Sequence, residues 1–228
     1  MTEEELVEEA TGFVEQGFSK YKMKVGMNFG QEEKEDVKRV AAVREAVGDD
    51  IEVYVDANMG YNVKQAIRMT RIFEEYNVGW LEEPVLADNI TGLAEVTRAS
   101  DIPIATGENE YTRHGFKELI ANRGADIIQP DVARVGGVTE WMKVASLADS
   151  FGLQIAPHGI PEVHLHLCMA IPNLKVVEYF DGGWARLGKA NFFTDVPLPQ
   201  NGMWTPFPDK PGLGFGLDPD AVAKYSID

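Results

Sequence analysis

Apolar residues recur along this chain in two rhythms that take turns. Between Thr2 and Gln16, the residues Leu6, Ala10, Phe13 and Val14 fall near one face of a helix. In KYKMKV (20–25) the apolar positions come every second residue, the period of a strand. The exchange repeats as far as position 180. Helices are predicted over Glu32–Val47, where Gly48 stops the pattern, and over about 63–76, 90–99, 113–122, 138–151 and 163–170. Between them run the strands IEVYVD (51–56), VGWLEE (78–83), IPIAT (102–106), DIIQP (126–130), LQIAP (153–157) and KVVEYF (175–180). Strands alternating with helices build right-handed βαβ units on a parallel sheet. Past Tyr179 the rhythm stops, and PLPQNGMWTPFPDKPGLGFGL (197–217) reads as a Pro/Gly-rich tail.

Seven strands fit either an open doubly wound sheet or a (β/α)8 barrel short of one strand. The ionisable residues favour the barrel. Lys24, Asp56, Glu82, Glu108, Asp131, His158 and Glu178 each fall at or near the C-terminal end of a different predicted strand, separated by 32, 26, 26, 23, 27 and 20 residues. In a closed barrel those ends converge on one mouth, where barrel enzymes place their chemistry. In an open sheet they would be spread along an edge. The expected organisation is a barrel domain over 1–190, carrying strands two to eight, and a C-terminal tail over 191–228.

Charge narrows the partners. A net charge of −16 repels nucleic acid and anionic membranes. No apolar run approaches the length of a membrane span. The N-terminus, MTEEELVEEA, has no signal-peptide character, and a lone cysteine, Cys168, excludes an internal disulfide. A cytoplasmic protein is expected.

Against that acidity, Lys22 and Lys24 share one face of the first strand, and two close ammonium groups favour losing a proton from one of them. Lys24 is thus a candidate base, its pKa lowered by Lys22. Asp56, Glu82 and Glu108, aimed at one point from successive strands, would repel one another unless a hard cation joined them. Oxygen-only ligands suit Mg²⁺. Each acid alone could instead cap a helix or pair with a lysine; three in register are harder to explain so. Glu83 is expected to point away from Glu82. His158 lies one strand from Asp131, and a carboxylate beside a histidine fixes its tautomer and favours its charged form. His164 and His166 diverge on a predicted helix and do not make a metal pair. Gly136–Gly137 is too little for a phosphate loop.

Six motifs in order, KMK, VDAN, LEEP, TGEN, IIQPDVARVGG and APH, resemble the enolase superfamily, mandelate racemase subgroup, from about Gly17 to the C-terminus. The resemblance implies Mg²⁺ on Asp56, Glu82 and Glu108, with Lys24 as one acid/base and His158 with Asp131 as the other. It also implies substrate contacts from Lys22, Asn58 and Glu178. The stretch 156–180 looks most like acid-sugar dehydratases of the galactarate/talarate type, and PDKPGLGFGL (208–217) resembles the family's C-terminal return segment. The family's capping domain and first barrel strand are not recognisable here. The expected reaction is removal of the proton α to a carboxylate, then loss of a β-hydroxyl to give a 2-keto-3-deoxy acid. A homo-oligomer is expected. A racemase or epimerase uses the same groups, and a catalytically silent barrel fragment is the remaining alternative.

Overall fold

The computed structural model describes residues 1–181 and 192–226. Six parallel strands form one sheet in the order β1-β2-β3-β4-β5-β6: Lys20–Lys24, Glu52–Asp56, Val78–Glu82, Ile104–Thr106, Ile127–Ile128 and Gln154–Ile155. Strand order equal to chain order is the barrel progression. The helices are α1 (Glu3–Glu15), a single kinked turn α2 (Met27–Gly30), α3 (Glu33–Val47), α4 (Val63–Glu74), α5 (Ile90–Ala99), α6 (Thr112–Ala121), α7 (Val138–Ser150) and α8 (Pro161–Cys168).

Local chemistry sets these boundaries. Thr2 and Glu5 form a capping box on α1, and Asn62 and Gln65 form one on α4. Pro161 opens α8 at a position whose N–H would be unpaired anyway. Three predicted strands prove shorter than their apolar runs. Pro103, Pro130 and Pro157 flank them, and proline has no N–H to give to a ladder.

Alternation along the strands separates two cores. Tyr21, Met23, Val53, Val55, Leu81, Ile104, Ile128 and Ile155 face the helix layer, where they meet Phe73, Phe116 and Trp141. Tyr54, Trp80, Ala105, Ile127 and Ala156, with Val176 against them, fill the barrel interior. At the bottom, the Arg44 guanidinium laces the elements together. It donates to the carbonyls of Tyr76 (2.9 Å), Gly48 (2.6 Å), Ile51 (2.7 Å) and Asn77 (2.9 Å).

The seventh strand is a correction. Residues 175–180 do not form a ladder. Contact with β6 is one parallel bridge, Ile155 to Leu174, held by Ile155 N–H to Asn173 O and Lys175 N–H to Ile155 O, each 2.8 Å. A strand needs a partner, and on the β1 side none of the described residues pairs with this run. Side chains span the gap instead. Lys22 lies 2.7 Å from Glu178. Phe18 stacks on Tyr179 with ring centroids 5.5 Å apart, and Trp204 from the tail meets Tyr179 edge-on. Gly202 lies so close to Gly17 that a Cβ there would be 2.2 Å from the Gly17 carbonyl. The tail also holds a short antiparallel pair, β7 (Phe193–Thr194) with β8 (Gly216–Leu217). A final helix, α9 (Pro219–Tyr225), is capped by Asp218, which the sequence reading did not anticipate. The expected barrel–tail boundary at 190/191 lies outside the described residues.

Arg44→Met should cost about 3 kcal/mol in denaturant unfolding, since four carbonyls lose a charged donor. Arg44→Lys should recover only part of it, because an ammonium cannot reproduce the planar fork.

Candidate active site

Register carries three charged groups to one level. Lys24 is paired with Asp56 across β1–β2, and Asp56 with Glu82 across β2–β3. All three share the interior face with Tyr54 and Trp80. Glu108 arrives differently. By alternation it belongs with Ile104 and Thr106 on the helix side. Gly107, at φ +134°, turns the chain so that Glu108 enters the mouth. That conformation strains any residue with a Cβ, and a Cβ at Gly107 would also crowd Phe116 and the Gln129 nitrogen.

Carboxylate oxygens of Asp56, Glu82 and Glu108 lie within 4.8 Å of one another, and all three residues are buried. Oε2 of Glu108 has no hydrogen-bond partner among the described residues. Three buried carboxylates with an orphaned oxygen form an all-oxygen donor set that fits a hard divalent cation.

The flanking groups fall on two sides. Lys24 Nζ contacts Asp56 Oδ2 at short range. On the other side His158 Nε2 is 3.5 Å from Glu108 Oε2, and His158 Nδ1 is 2.9 Å from Asp131 Oδ2. Burial works against the charged imidazole, but Asp131, Glu108 and Glu178 outweigh it and raise the His158 pKa. Asp131 is lowered: burial opposes this, while His158 and the Ala133 amide favour the carboxylate.

Lys22 reaches Glu82 and Glu178, each at 2.7 Å, and Asp56 at 3.9 Å. Burial opposes its charge, yet Glu178, Glu82 and Asp56 prevail and hold its pKa well above the ordinary lysine value. The three carboxylates thus favour the charged form of Lys22. Glu178 is kept ionised despite burial by Lys22 and by the Gly159 N–H at 2.9 Å. Asn58 is exposed at φ +39°, and its N–H donates to Asp56 Oδ1 at 2.8 Å.

Two partners escaped the sequence reading, and one expectation is overturned. Glu83 does not turn away from the cluster. Its φ of +40° breaks the strand alternation, and it sits buried, receiving both Asn109 Nδ2 bonds at 2.8 and 3.0 Å. Burial, then the nearby Glu108 charge, pushes its pKa up to about 7. Arg134 donates to the Glu108 carbonyl at 2.9 Å and lies 3.7 Å from Asp131 Oδ2, joining the carboxylate cluster to the histidine side. The signals were present as LEEP, TGEN and DVAR, but neighbours beyond strand ends have no fixed period.

The fold and sequence have counterparts among known proteins. The family model for enolase C-terminal domain-like proteins matches residues 5–221. The chain belongs to the enolase superfamily. It is 40% identical over 207 residues to L-talarate/galactarate dehydratase of Salmonella typhimurium, covering 91% of this chain and 50% of that protein. The crystal structure of L-talarate dehydratase from Polaromonas sp. JS666, complexed with Mg and L-glucarate, superposes with a TM-score of 0.88. It is 37% identical, covering 98% of this chain and 60% of that one. A racemase from Streptomyces coelicolor A3(2) with bound magnesium superposes at 0.89 and 31% identity, covering 100% of this chain and 60% of that one. The chain thus spans half the length of the enolase-superfamily dehydratase from Salmonella.

Burial, which leads the other causes, also raises Glu82 to about 7. A carboxyl raised in the fold favours the folded state until the unfolded chain begins to ionise, near 4.5, and that advantage is lost as pH rises to about 7. His158, raised as well, loses its contribution in the same direction. Chelator-treated protein should therefore show a thermal midpoint that falls as pH rises across that window. Glu83→Gln should flatten the slope, which scanning fluorimetry across the pH range measures.

Proposed function

We propose that this chain carries the site for Mg²⁺-assisted removal of the proton α to a carboxylate, followed by dehydration of an acid sugar to a 2-keto-3-deoxy acid. The observation that carries the reading is geometric. Two proton-transfer groups, Lys24 and the Asp131–His158 pair, flank one cluster of three buried carboxylates. Asp56, Glu82 and Glu108 would hold the ion. When bound, Mg²⁺ supplies a Lewis acid that stabilises negative charge on substrate oxygens.

The other work falls to protein side chains. Lys22, favoured in its charged form, offsets the substrate anion, and Glu178 holds Lys22 in place. Glu178, kept ionised by Lys22 and the Gly159 N–H, acts on the substrate carboxylate through that lysine, and Asn58 stands at the open side of the site. Lys24, as the free amine, takes the α-proton, and the C–H electron pair moves into the carboxylate-conjugated system. His158, favoured as an imidazolium by Asp131, donates its proton as the β C–O bond breaks, and water leaves. The resulting enol tautomerises to the keto acid. The Trp80 indole donates to Glu82 Oε2 at 3.1 Å, so the aromatic layer beneath helps to orient the cluster.

The dehydratase names of two of the relatives support an acid sugar as substrate. The racemase neighbour marks the competing outcome, in which the proton returns on the opposite face. The test is incubation with Mg²⁺ and galactarate or a related aldarate or aldonate. Semicarbazide should detect a keto acid. Exchange of the α-hydrogen in ²H₂O without keto acid would make the protein a racemase or epimerase instead.

Mg²⁺ at a hundred times its Kd should stabilise the protein by about 2.7 kcal/mol. Glu108→Gln should abolish that shift in a thermal melt. Lys24→Ala and His158→Asn should each lower turnover by about 10²–10⁴-fold while keeping the Mg²⁺ shift. Turnover retained in either variant would remove that group from the mechanism.

A further inference from the structure

His164 is fully buried, and no step above uses it. It sits one turn into α8, tilted against Trp141 with ring centroids 5.8 Å apart. A residue serving only to fill this space would be apolar. Instead both ring nitrogens are engaged. Nε2 receives the backbone N–H of Val132 at 3.0 Å, and Nδ1 lies 2.7 Å from the Gly159 carbonyl. An amide N–H can only donate and a carbonyl can only accept. The ring is therefore neutral, with its proton on Nδ1. Burial, which lowers its pKa against the pull of the Gly159 carbonyl, Asp131 and Glu178, agrees.

The two backbone groups it joins matter. Val132 follows Asp131, and Gly159 follows His158. One imidazole thus ties together the two loops that carry the proton-transfer pair. The loop it holds is strained: Gly159 lies at φ +62° and Ile160 at φ +27°, the latter a conformation that β-branched residues rarely adopt. Such a turn persists only when surrounding bonds over-determine it. Gly159 is gripped at both ends, its N–H by Glu178 Oε2 at 2.9 Å and its carbonyl by His164. Polar links then run unbroken from Val132 through His164, Gly159 and Glu178 to Lys22 and Glu82.

We propose that His164 is a positioning residue, a neutral donor–acceptor clamp that sets the distance and alignment of His158 against Asp131. The proposal rests on the reading of His158–Asp131 as the proton-transfer pair, but its geometry needs neither substrate nor metal. The clamp makes no contact with the reacting atoms and acts only through the two loops.

The experiment uses the full chain labelled with ¹⁵N-histidine, free of substrate. The wild type should show His164 as the neutral Nδ1–H tautomer at neutral pH. It should also show a slowly exchanging low-field proton from His158 Nδ1–H on Asp131. His164→Phe, which keeps the ring volume, should lose that proton and raise amide exchange at Val132 by about tenfold or more, the equivalent of one hydrogen bond. His164→Gln, whose amide oxygen can accept from Val132, should restore most of the Val132 protection. His166→Gln, on the same helix, should change neither. A folded His164→Phe that keeps both the His158 proton and the Val132 protection would overturn the proposal. So would a wild-type His164 protonated on Nε2 or on both nitrogens, and that measurement decides the matter if the Phe variant does not fold. Absence of dehydratase activity would leave every one of these readouts standing.

Discussion

Crowded negative charge in a space with little water is the constraint on which this structure turns. Asp56, Glu82, Glu83, Glu108, Asp131 and Glu178 all approach the mouth of one barrel, most of them buried. Such a set cannot ionise together without compensation. Each member has its own answer. Glu178 and Glu82 share Lys22, Asp56 has Lys24, Asp131 has His158, and Arg134 lies between Glu108 and Asp131. Burial first, and the neighbouring carboxylates after it, raise the Glu82 and Glu83 carboxyls, and the convergence of Asp56, Glu82 and Glu108 is the physical case for a divalent cation.

Beneath the charges lies a dry floor. Tyr54 and Trp80 stack in parallel with centroids 3.6 Å apart. They close the barrel interior against water from below and strengthen every electrostatic interaction above. The two layers are inseparable, because strand alternation that points Tyr54 and Trp80 inward also points Asp56 and Glu82 inward, one step nearer the mouth. A substitution that slipped the register of β2 by one residue would send Asp56 to the helix layer and leave Glu82 without its neighbour.

Closure of the barrel also depends on these charges. Between β1 and the 175–180 run, where no ladder forms, the Lys22–Glu178 ion pair and the Phe18–Tyr179–Trp204 rings hold the edges together. The same Lys22 offsets the cluster and spans the gap. Stability and chemistry therefore meet in one side chain. A buried pair of this kind is costly to break singly, because it strands the partner's charge.

Much of this was legible from periodicity. The alternation of helix and strand, the placement of ionisable residues at successive strand ends and the ordered motifs determined the barrel class and brought Lys22, Lys24, Asp56 and Glu82 to one face, because side-chain direction along a strand follows a strict period of two. Beyond the strand ends that period lapses. Gly107 alone turns Glu108 into the mouth, and the left-handed Glu83 brings in a carboxylate that alternation sends away. Arg134 and His164 take their roles from loops far apart in sequence. The run at 175–180 has a strand's composition but only one bridge, since a ladder requires a neighbour as well as a propensity. These features were decided by tertiary structure, because each depends on what lies across a loop or a gap, and no local pattern in the sequence records that.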